Sequence, residues 1–225
     1  MNALIKALCA IDADMYVDNK QIYTKFLSIL CSGDGNSMSS VTVAKVEDVF
    51  TYGANHKSDA ANYAAAETMA LQLSLQIQAL EEMGYTMLFI RPSDILVLDR
   101  AGDNKFILAN LSQRVPLYKK DKSCFLLDYP TVYPFPKEVC APEVVAMAAI
   151  PFISPRSAAY YSLAVLCLNM LRMTLDDLQG TKLFYFLERC LKEKPAERQL
   201  LFFWILFLSC LNTFSNLYTF SIRIY

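Results

Sequence analysis

Cysteine and histidine are the residue types in this chain best suited to metal binding or nucleophilic chemistry. The sequence has seven cysteines but no C-x-x-C pair, and its single histidine, His56, has no cysteine beside it. Zinc sites and redox centres need such groups at short, regular spacing. Since most of the cysteines lie inside apolar runs, we expect reduced, buried thiols of a cytosolic protein rather than disulfides or a metal site.

Composition predicts a globular protein. The chain has 225 residues, of which 55% are hydrophobic and 19% charged, enough to bury a sizeable core in one or two domains. Its formal net charge of −1 argues against a general nucleic-acid surface. No secretory signal is visible, because Met1–Ala10 is a short apolar run that carries Lys6. We therefore expect a cytoplasmic protein.

A long helix is predicted before residue 85. Apolar residues from Met69 to Leu80 recur at helical spacing, Ser58-Asp59 can cap the start, and Gly84 can end it. Three polar residues are assigned to the more solvent-exposed side of this helix: Gln72, Gln76 and Glu82.

The elements after this helix are shorter. Asp94–Asp99 and Lys105–Ala109 flank a turn of Gly, Asp and Asn, which predicts a β-hairpin. Several prolines between Leu111 and Cys140 predict a long irregular stretch. Tyr160–Leu171 is apolar nearly all round and shorter than the roughly 20 residues that cross a bilayer, so we expect a buried central helix.

The segment 85–112, YTMLFIRPSDILVLDRAGDNKFILANLS, resembles the catalytic core of a protein kinase. That family has H-R-D-L-K-P-x-N-I-L-[LV] at its catalytic loop and, after a strand pair, K-[IL]-x-D-F-G-L-[AS]. This chain has MLFIRPSDILV and KFILANLS at those places, which keeps the apolar frame. Phe89 stands at the position of the catalytic aspartate, and Leu108 at that of the metal-binding aspartate.

Further motifs follow the order of the kinase family, so that the resemblance covers about residues 20–200. The segment Cys140–Glu143 contains the Ala-Pro-Glu motif that closes an activation segment. Ala159–Val165 resembles D-[VI]-[WY]-S-[LF]-G-[VI], the start of the central helix, although alanine replaces the aspartate. Phe186–Arg198 resembles C-L-x-x-[DN]-P-x-x-R. The helix over Met69–Met83 corresponds to the one that leads into the catalytic loop.

The resemblance implies an α+β, protein kinase-like fold, mainly the helical large lobe with a remnant of the β-rich small lobe. It divides the chain into three parts. Residues 1–52 would be the remnant of the small lobe and the hinge, residues 53–199 the large lobe, and residues 200–225 an apolar C-terminal tail.

The small lobe is expected to be truncated. The glycine-rich segment Cys31–Ser37 lacks G-x-G-x-x-G spacing, so we interpret it as a hairpin turn. Val41–Lys45 resembles the strand of the nucleotide-binding lysine but lies too close to the catalytic-loop position. We therefore assign Ile22–Cys31 and Val41–Lys45 as the last two small-lobe strands, and Val46–Tyr52 as the hinge and start of the next helix. Residues 1–20 then hold at most one helix, and the nucleotide clamp is absent.

Four charged residues of the large lobe correspond to functional positions of kinases. Arg91 stands where the family has a phosphate-steadying lysine, and Asp94 where it has a second metal-binding asparagine. These two are the candidate cofactor-binding residues, able to contact an anion or a cation, although the sequence favours a solvated or structural role. The resemblance also implies a buried structural ion pair between Glu143 and Arg198, whose planar fork suits a carboxylate. The alternative is that both are surface residues.

The segment Leu200–Ile222 contains no charged residue and is just long enough to span a bilayer. Polar residues in its second half oppose insertion into lipid. A helix packed on the large lobe is the favoured interpretation; a membrane anchor and an artefact of gene prediction are the alternatives.

Phosphoryl transfer needs metal ions, a lysine on the phosphates and a base for the attacking hydroxyl. Because Phe89 and Leu108 replace the aspartates, we expect no catalytic residues and no cofactor. The sequence predicts a pseudokinase-like scaffold or decoy that binds a protein partner, such as an active kinase or its substrate. The alternative is a divergent kinase that uses ATP and Mg²⁺ to phosphorylate Ser, Thr or Tyr of proteins. A decayed gene fragment is a third interpretation.

Overall fold

The computed structural model describes residues 3–31, 45–48, 59–99, 104–128 and 135–198. The helices are α1 Ala3–Ile11, α2 Ala13–Asp18, α3 Lys20–Cys31, α4 Asp59–Glu82, α5 Pro142–Val145, α6 Ala158–Leu171 and α7 Lys182–Cys190. The strands are β1 Lys45–Asp48, β2 Tyr85–Met87, β3 Ile95–Asp99, β4 Lys105–Leu108, β5 Arg114–Tyr118, β6 Asp121–Leu127 and β7 Phe152–Pro155. Short 3-10 turns lie at Pro92–Asp94, Asp176–Leu178 and Pro195–Glu197. The predicted α+β class is confirmed.

The described strands form two antiparallel sheets, in the orders β1-β3-β4 and β2-β5-β6-β7. The predicted hairpin is the β3–β4 pair, in which Ile95 lies opposite Leu108. Strand β1 pairs with the other edge of β3, and its Lys45 lies opposite Asp99. In the second sheet, β2 leaves helix α4 and pairs directly with β5. The second sheet therefore begins directly after α4.

Helix α4 has 24 residues and is the longest described element of the core. Its composition of Ala, Leu, Gln and Glu favours a helix. Met69, Leu73, Ile77 and Leu80 are at most 1% exposed, which confirms the predicted apolar face. Gly84, at φ +89°, ends the turn after the helix, and its N–H donates to the carbonyl of Glu81 at 3.0 Å. This confirms the predicted helix stop, since glycine adopts a positive φ without steric cost.

The amino-terminal region differs from the prediction. The expected strand at Ile22–Cys31 is part of helix α3, and α1 and α2 precede it, so residues 1–20 hold more than the one helix expected. Buried apolar residues recur in α3 every three or four positions, which is the helical period: Ile22, Tyr23, Phe26, Leu27 and Leu30. The alignment with the kinase motifs suggested a strand here, but the helical period of the buried residues decides the structure.

Other expectations for this region fall partly outside the described residues. Of the expected strand Val41–Lys45 only Lys45 is described, as the first residue of β1. The first residues of the expected hinge, Val46–Asp48, continue that strand. The turn assigned to Cys31–Ser37 is not described beyond Cys31, which ends α3.

One hydrophobic cluster joins the described parts of the chain, from Leu4 in α1 to Cys190 in α7. The regions expected as small-lobe remnant, residues 1–52, and large lobe, residues 53–199, therefore share a core where the structure describes them. Helix α6 lies within this cluster and is buried on most of its surface, as predicted for Tyr160–Leu171. Its Ser162 hydroxyl donates to the carbonyl of Val139.

The segment predicted as irregular between Leu111 and Cys140 contains the hairpin β5–β6, so that prediction was wrong for residues 114–127. Burial alternates along Arg114–Tyr118, as in a strand with one face on the core. Pro116 was the misleading signal. It is tolerated because the register between β5 and β6 is irregular at the adjacent Leu117 and Tyr118.

The cysteines in the described ranges are all free thiols. Burial raises the pKa of both Cys140 and Cys167 to about 12, so these thiols stay protonated. None of the described helices combines the length and hydropathy needed to cross a membrane. The segment Leu200–Ile222, to which the sequence assigned a packed helix or an anchor, lies outside the described residues.

Candidate functional site

The loop between β2 and β3 carries the residues that the sequence singled out for nucleotide or metal contact. It runs through Phe89 and Arg91 into the 3-10 turn Pro92–Asp94. Proline suits the first position of the turn, and Arg91 before it is extended, at φ −99° and ψ 157°. The N–H of Leu88 donates to the carbonyl of Gln113 at 2.9 Å, which fixes the loop to the start of β5.

Asp94 is the central side chain of this loop and is fully buried. Its Oδ2 accepts hydrogen bonds from the backbone N–H of Arg91 at 2.7 Å and from Arg91 Nε at 3.2 Å. Its Oδ1 accepts from Arg91 Nη2 at 3.0 Å and from Asn110 Nδ2 at 2.9 Å. Because both oxygens are occupied by donors, Asp94 fastens the loop to the segment after β4 instead of offering an oxygen to a metal ion.

Arg91 is the partner of Asp94 and is partly exposed, at 40% of its side chain. The hydrogen bond to Asp94 raises the pKa of Arg91. Its guanidinium carbon lies 6.0 Å from the centre of the Phe89 ring. The structure thus brings the two candidate cofactor-binding residues together, but as partners of one another.

Two apolar side chains occupy the positions where the kinase resemblance places aspartates. Phe89 is 3% exposed and meets the ring of Phe135 edge-on, with centroids 6.1 Å apart. Leu108, at the end of β4, is fully buried. Neither can accept a proton or bind a metal ion, so the chemistry of a general base or a magnesium ligand is not available at these two positions.

The amino-terminal helices pack directly against this site, which the sequence analysis missed. The hydroxyl of Tyr23 in α3 donates to the carbonyl of Ala109 at 2.6 Å. The N–H of Leu111 donates to the sulfur of Met15 in α2 at 3.4 Å. Burial raises the pKa of Tyr23 to about 12, so its hydroxyl remains a donor. The helical spacing of Tyr23 with the other apolar residues of α3 was the feature of the sequence that could have indicated this contact.

Two glutamines of α4 bind the backbone of β4, which is one of the two edge strands of its sheet as described. Gln76 Nε2 donates to the carbonyl of Phe106 at 2.8 Å, and Gln76 Oε1 accepts from the N–H of Leu108 at 2.9 Å. Gln72 Oε1 accepts from the N–H of Phe106 at 2.7 Å. Gln76 is fully buried, so its assignment to the more solvent-exposed side of the helix was wrong. Its amide replaces the neighbouring strand that β4 lacks on this edge.

Glu143 and Arg198 form an ion pair outside the loop between β2 and β3. Arg198 Nη1 lies 2.6 Å from Glu143 Oε1, and Nη2 lies 3.0 Å from Oε2. The arginine also donates to the carbonyls of Lys192 and Glu193, and its guanidinium carbon lies 4.9 Å from the ring centre of Tyr161. The arginine side chain is fully buried and the glutamate is 14% exposed. The surface alternative is therefore excluded for both residues.

In the part of the chain that the structure describes, no three His, Cys, Asp or Glu residues lie close enough to hold a metal ion. Neither a family model nor a curated protein sequence matches this chain.

Proposed function

We propose that this chain is a catalytically inactive, protein kinase-like scaffold or decoy that acts by binding a protein partner. One observation carries the proposal: the side chains at the key positions of the loop between β2 and β3 and at the end of β4 pack in the core or pair with one another, and none is free to assist transfer of a phosphoryl group. Phe89 and Leu108 are buried apolar residues, and Asp94 is fully hydrogen-bonded to Arg91 and Asn110. Phosphoryl transfer instead requires charged groups aimed at the phosphates and the metal ions.

The order of the described elements supports the kinase-like part of the proposal. Helix α4 leads into the loop, the antiparallel pair β3–β4 follows it, and α6 is buried at the centre of the core. The Glu143–Arg198 pair joins the two motifs that the resemblance assigns to it. These features follow one another along the chain in the order that the corresponding motifs have in the kinase family.

The helical amino terminus supports the inactive part of the proposal. A glycine-rich loop and a strand lysine hold the phosphates of ATP in kinases. Residues 3–31 of this chain are helices instead, and Tyr23 of α3 is hydrogen-bonded to Ala109 beside the loop. These helices contribute to the core around β4 and not to a strand-built clamp.

Exposed apolar side chains support the binding of a protein partner. Val17 on α2 is 69% exposed and Ile153 on β7 is 48% exposed. Ile150, before β7, is 41% exposed. Single exposed apolar residues are common. Ile150 and Ile153, however, lie three residues apart on one segment, where they can form an apolar contact surface for a partner.

Titration with ATP tests the inactive part of the proposal. We expect no thermal stabilisation by millimolar ATP, with or without Mg²⁺, and no transfer of labelled phosphate to the chain itself or to generic protein substrates. A ligand at about 100 times its dissociation constant stabilises a fold by about 2.7 kcal/mol, which shifts melting by several degrees. A shift of that size would favour the divergent ATP-binding kinase instead.

Two surface variants test the binding part. A partner isolated by cross-linking to the folded chain should be lost on Ile153→Asp or on Val17→Asp, while the melting temperature of that variant stays within a degree or two of the parent. A partner retained by both variants would contradict these surfaces. A chain without a cooperative melt would instead indicate the decayed gene fragment.

A further inference from the structure

A cavity of about 730 Å³ lies away from the loop of Arg91 and Asp94 and shares none of its residues. It is bounded by the end of α4, by strands β5, β6 and β7, by the start of α6 and by the turn Pro195–Glu197. Its walls carry both signs of charge, because Glu81 and Glu82 come from α4, Lys122 from β6 and Arg156 from the turn after β7. A cavity of this size accommodates a small organic molecule.

Glu81 is the distinctive residue of this cavity. It is only 8% exposed, and its Oε2 lies 3.2 Å from Nη1 of Arg156. Its Oε1 is buried and has no hydrogen-bond partner among the described residues. Burying a carboxylate oxygen without a donor is costly, so such an atom points to a donor that is supplied from outside the chain.

A second unsatisfied atom lines the same cavity. The hydroxyl oxygen of Ser157 is buried without a partner in the described part of the chain, and Ser157 is 8% exposed. Ser157 directly follows Arg156 and comes immediately before α6. Glu81 and Ser157 line one cavity, and each has a buried oxygen without a partner, so the two residues offer acceptors to a cationic or hydrogen-bonding group.

The side of the cavity formed by β6 and the turn after β7 presents the opposite charge. Arg156 keeps 44% of its side chain exposed although it contacts Glu81, and Lys122 is exposed on β6. A guanidinium with free edges can bind a carboxylate through two parallel hydrogen bonds. Tyr160, which is 3% exposed, forms part of the wall.

We infer that this cavity binds a small amine carboxylate of the α-amino acid type. The ammonium group would donate to Glu81 Oε1 and Ser157 Oγ, and the carboxylate would bind Arg156 and Lys122. A ligand with phosphates alone would leave Glu81 without a donor and would be repelled by Glu81 and Glu82. An amine without a carboxylate would leave the two cations unused. The inference does not depend on the proposed scaffold function.

Titration calorimetry on the full chain tests this site, with each common L-α-amino acid as the probe. For an amino acid that binds, the matched amine without the carboxylate and the matched carboxylic acid without the amine serve as controls. We expect one saturable site for at least one amino acid. Both controls should bind about tenfold more weakly or worse, because each loses a charged hydrogen-bonding group.

Two neighbouring glutamates give a matched pair of variants. Glu81→Gln and Glu82→Gln each remove one negative charge from the end of α4 and keep the side-chain size. We expect Glu81→Gln to weaken binding about tenfold or more and Glu82→Gln to change it less than about threefold. If Glu81→Gln does not fold, Arg156→Gln replaces it. That variant should weaken binding of the amino acid but not of the amine control.

Three results would overturn the inference. The first is no saturable binding of any amino acid up to about 10 mM. The second is binding that Glu81→Gln and Arg156→Gln leave unchanged, which would place the ligand elsewhere. The third is equal affinity for the amino acid and for either control.

Discussion

Arg198 and Glu143 are 55 residues apart in the sequence, and both terminal nitrogens of the arginine bind both oxygens of the glutamate. The contact connects α5 to the turn that follows α7, and the carbonyls of Lys192 and Glu193 accept two further hydrogen bonds from the guanidinium. A buried pair with four such hydrogen bonds is costly to break at one side, because the other charge is left without its partner.

We therefore expect Arg198→Ala to lower the free energy of unfolding by about 3–5 kcal/mol in urea denaturation. Arg198→Lys should recover only part of this loss, since one ammonium cannot form two parallel bonds. Lys192→Ala is the control, because its pair with Glu188 is partly exposed and such pairs contribute about 0.3–0.5 kcal/mol. Similar small losses for Arg198→Ala and Lys192→Ala would show that the buried pair is not a main support of the fold.

Gln76 should be the most sensitive polar residue of α4. Gln76→Met keeps the volume but removes the acceptor of Leu108 N–H and a donor to Phe106 C=O, so we expect a loss of about 2–4 kcal/mol. Gln78→Met, two residues further on and only half-buried, should change the stability by about 0.5 kcal/mol or less. Chemical denaturation of both variants provides the comparison, and equal effects would contradict the role of Gln76 as a strand partner.

Gln76 also shows where sequence reasoning was insufficient. Gln76 lies seven residues after Met69 and four before Leu80, which places it on the apolar face of the helix. Its polar side chain nevertheless suggested a position exposed to water. Only the strand edge opposite explains a buried amide there, and a strand edge is a tertiary feature. Periodicity sufficed to predict α4, which buries one face with a regular repeat. Helix α6 was predicted from apolar residues on nearly every side, and the β3–β4 hairpin from the Gly, Asp and Asn residues of its turn.

The candidate site was predictable in part. The replacement of both aspartates of the kinase pattern is visible in the sequence itself, because Phe89 and Leu108 occupy their positions. The mutual pairing of Arg91 and Asp94 could not be predicted from the sequence. Its geometry depends on the turn at Pro92 and on Asn110, which lies sixteen residues after Asp94. Docking of α2 and α3 through Met15 and Tyr23 was missed, since Ile22–Cys31 was assigned to a strand.

Introducing the missing carboxylates should destabilise the protein without creating activity. Leu108→Asp and Phe89→Asp place a carboxylate where the parent side chain is 0% and 3% exposed. We expect each to cost several kcal/mol, because an unpaired charge in an apolar core has no compensation. Ile153→Asp, at a position 48% exposed, is the control with little expected loss. Labelled-phosphate transfer and urea melts on the same samples measure both effects. Phosphate transfer by a variant that carries both substitutions would contradict the expectation that these two carboxylates create no activity.

Glu81 should give the protein a characteristic dependence of stability on pH. Burial is the main cause that raises the pKa of Glu81 from 4.5 to about 7, and Arg156 acts in the opposite direction. Because the pKa in the folded state is the higher one, the folded protein holds this proton more tightly than the unfolded chain. The contribution of Glu81 to stability is therefore full below pH 4.5 and is lost as the pH rises to about 7.

The size of this effect follows from the shift, at 1.36 kcal/mol per pKa unit, and is on the order of 3 kcal/mol at most. Other carboxylates also titrate in this range, so the readout is the difference in unfolding free energy between the parent and Glu81→Gln from pH 4 to pH 8. Arg156, Lys122, Glu82 and Tyr160 line the same cavity and remain in both proteins. We expect Glu81→Gln to become more stable relative to the parent as the pH rises, whereas Glu82→Gln, which alters an exposed residue, should follow the parent at every pH. Parallel curves for the parent and Glu81→Gln would show that this carboxylate titrates as it does in water.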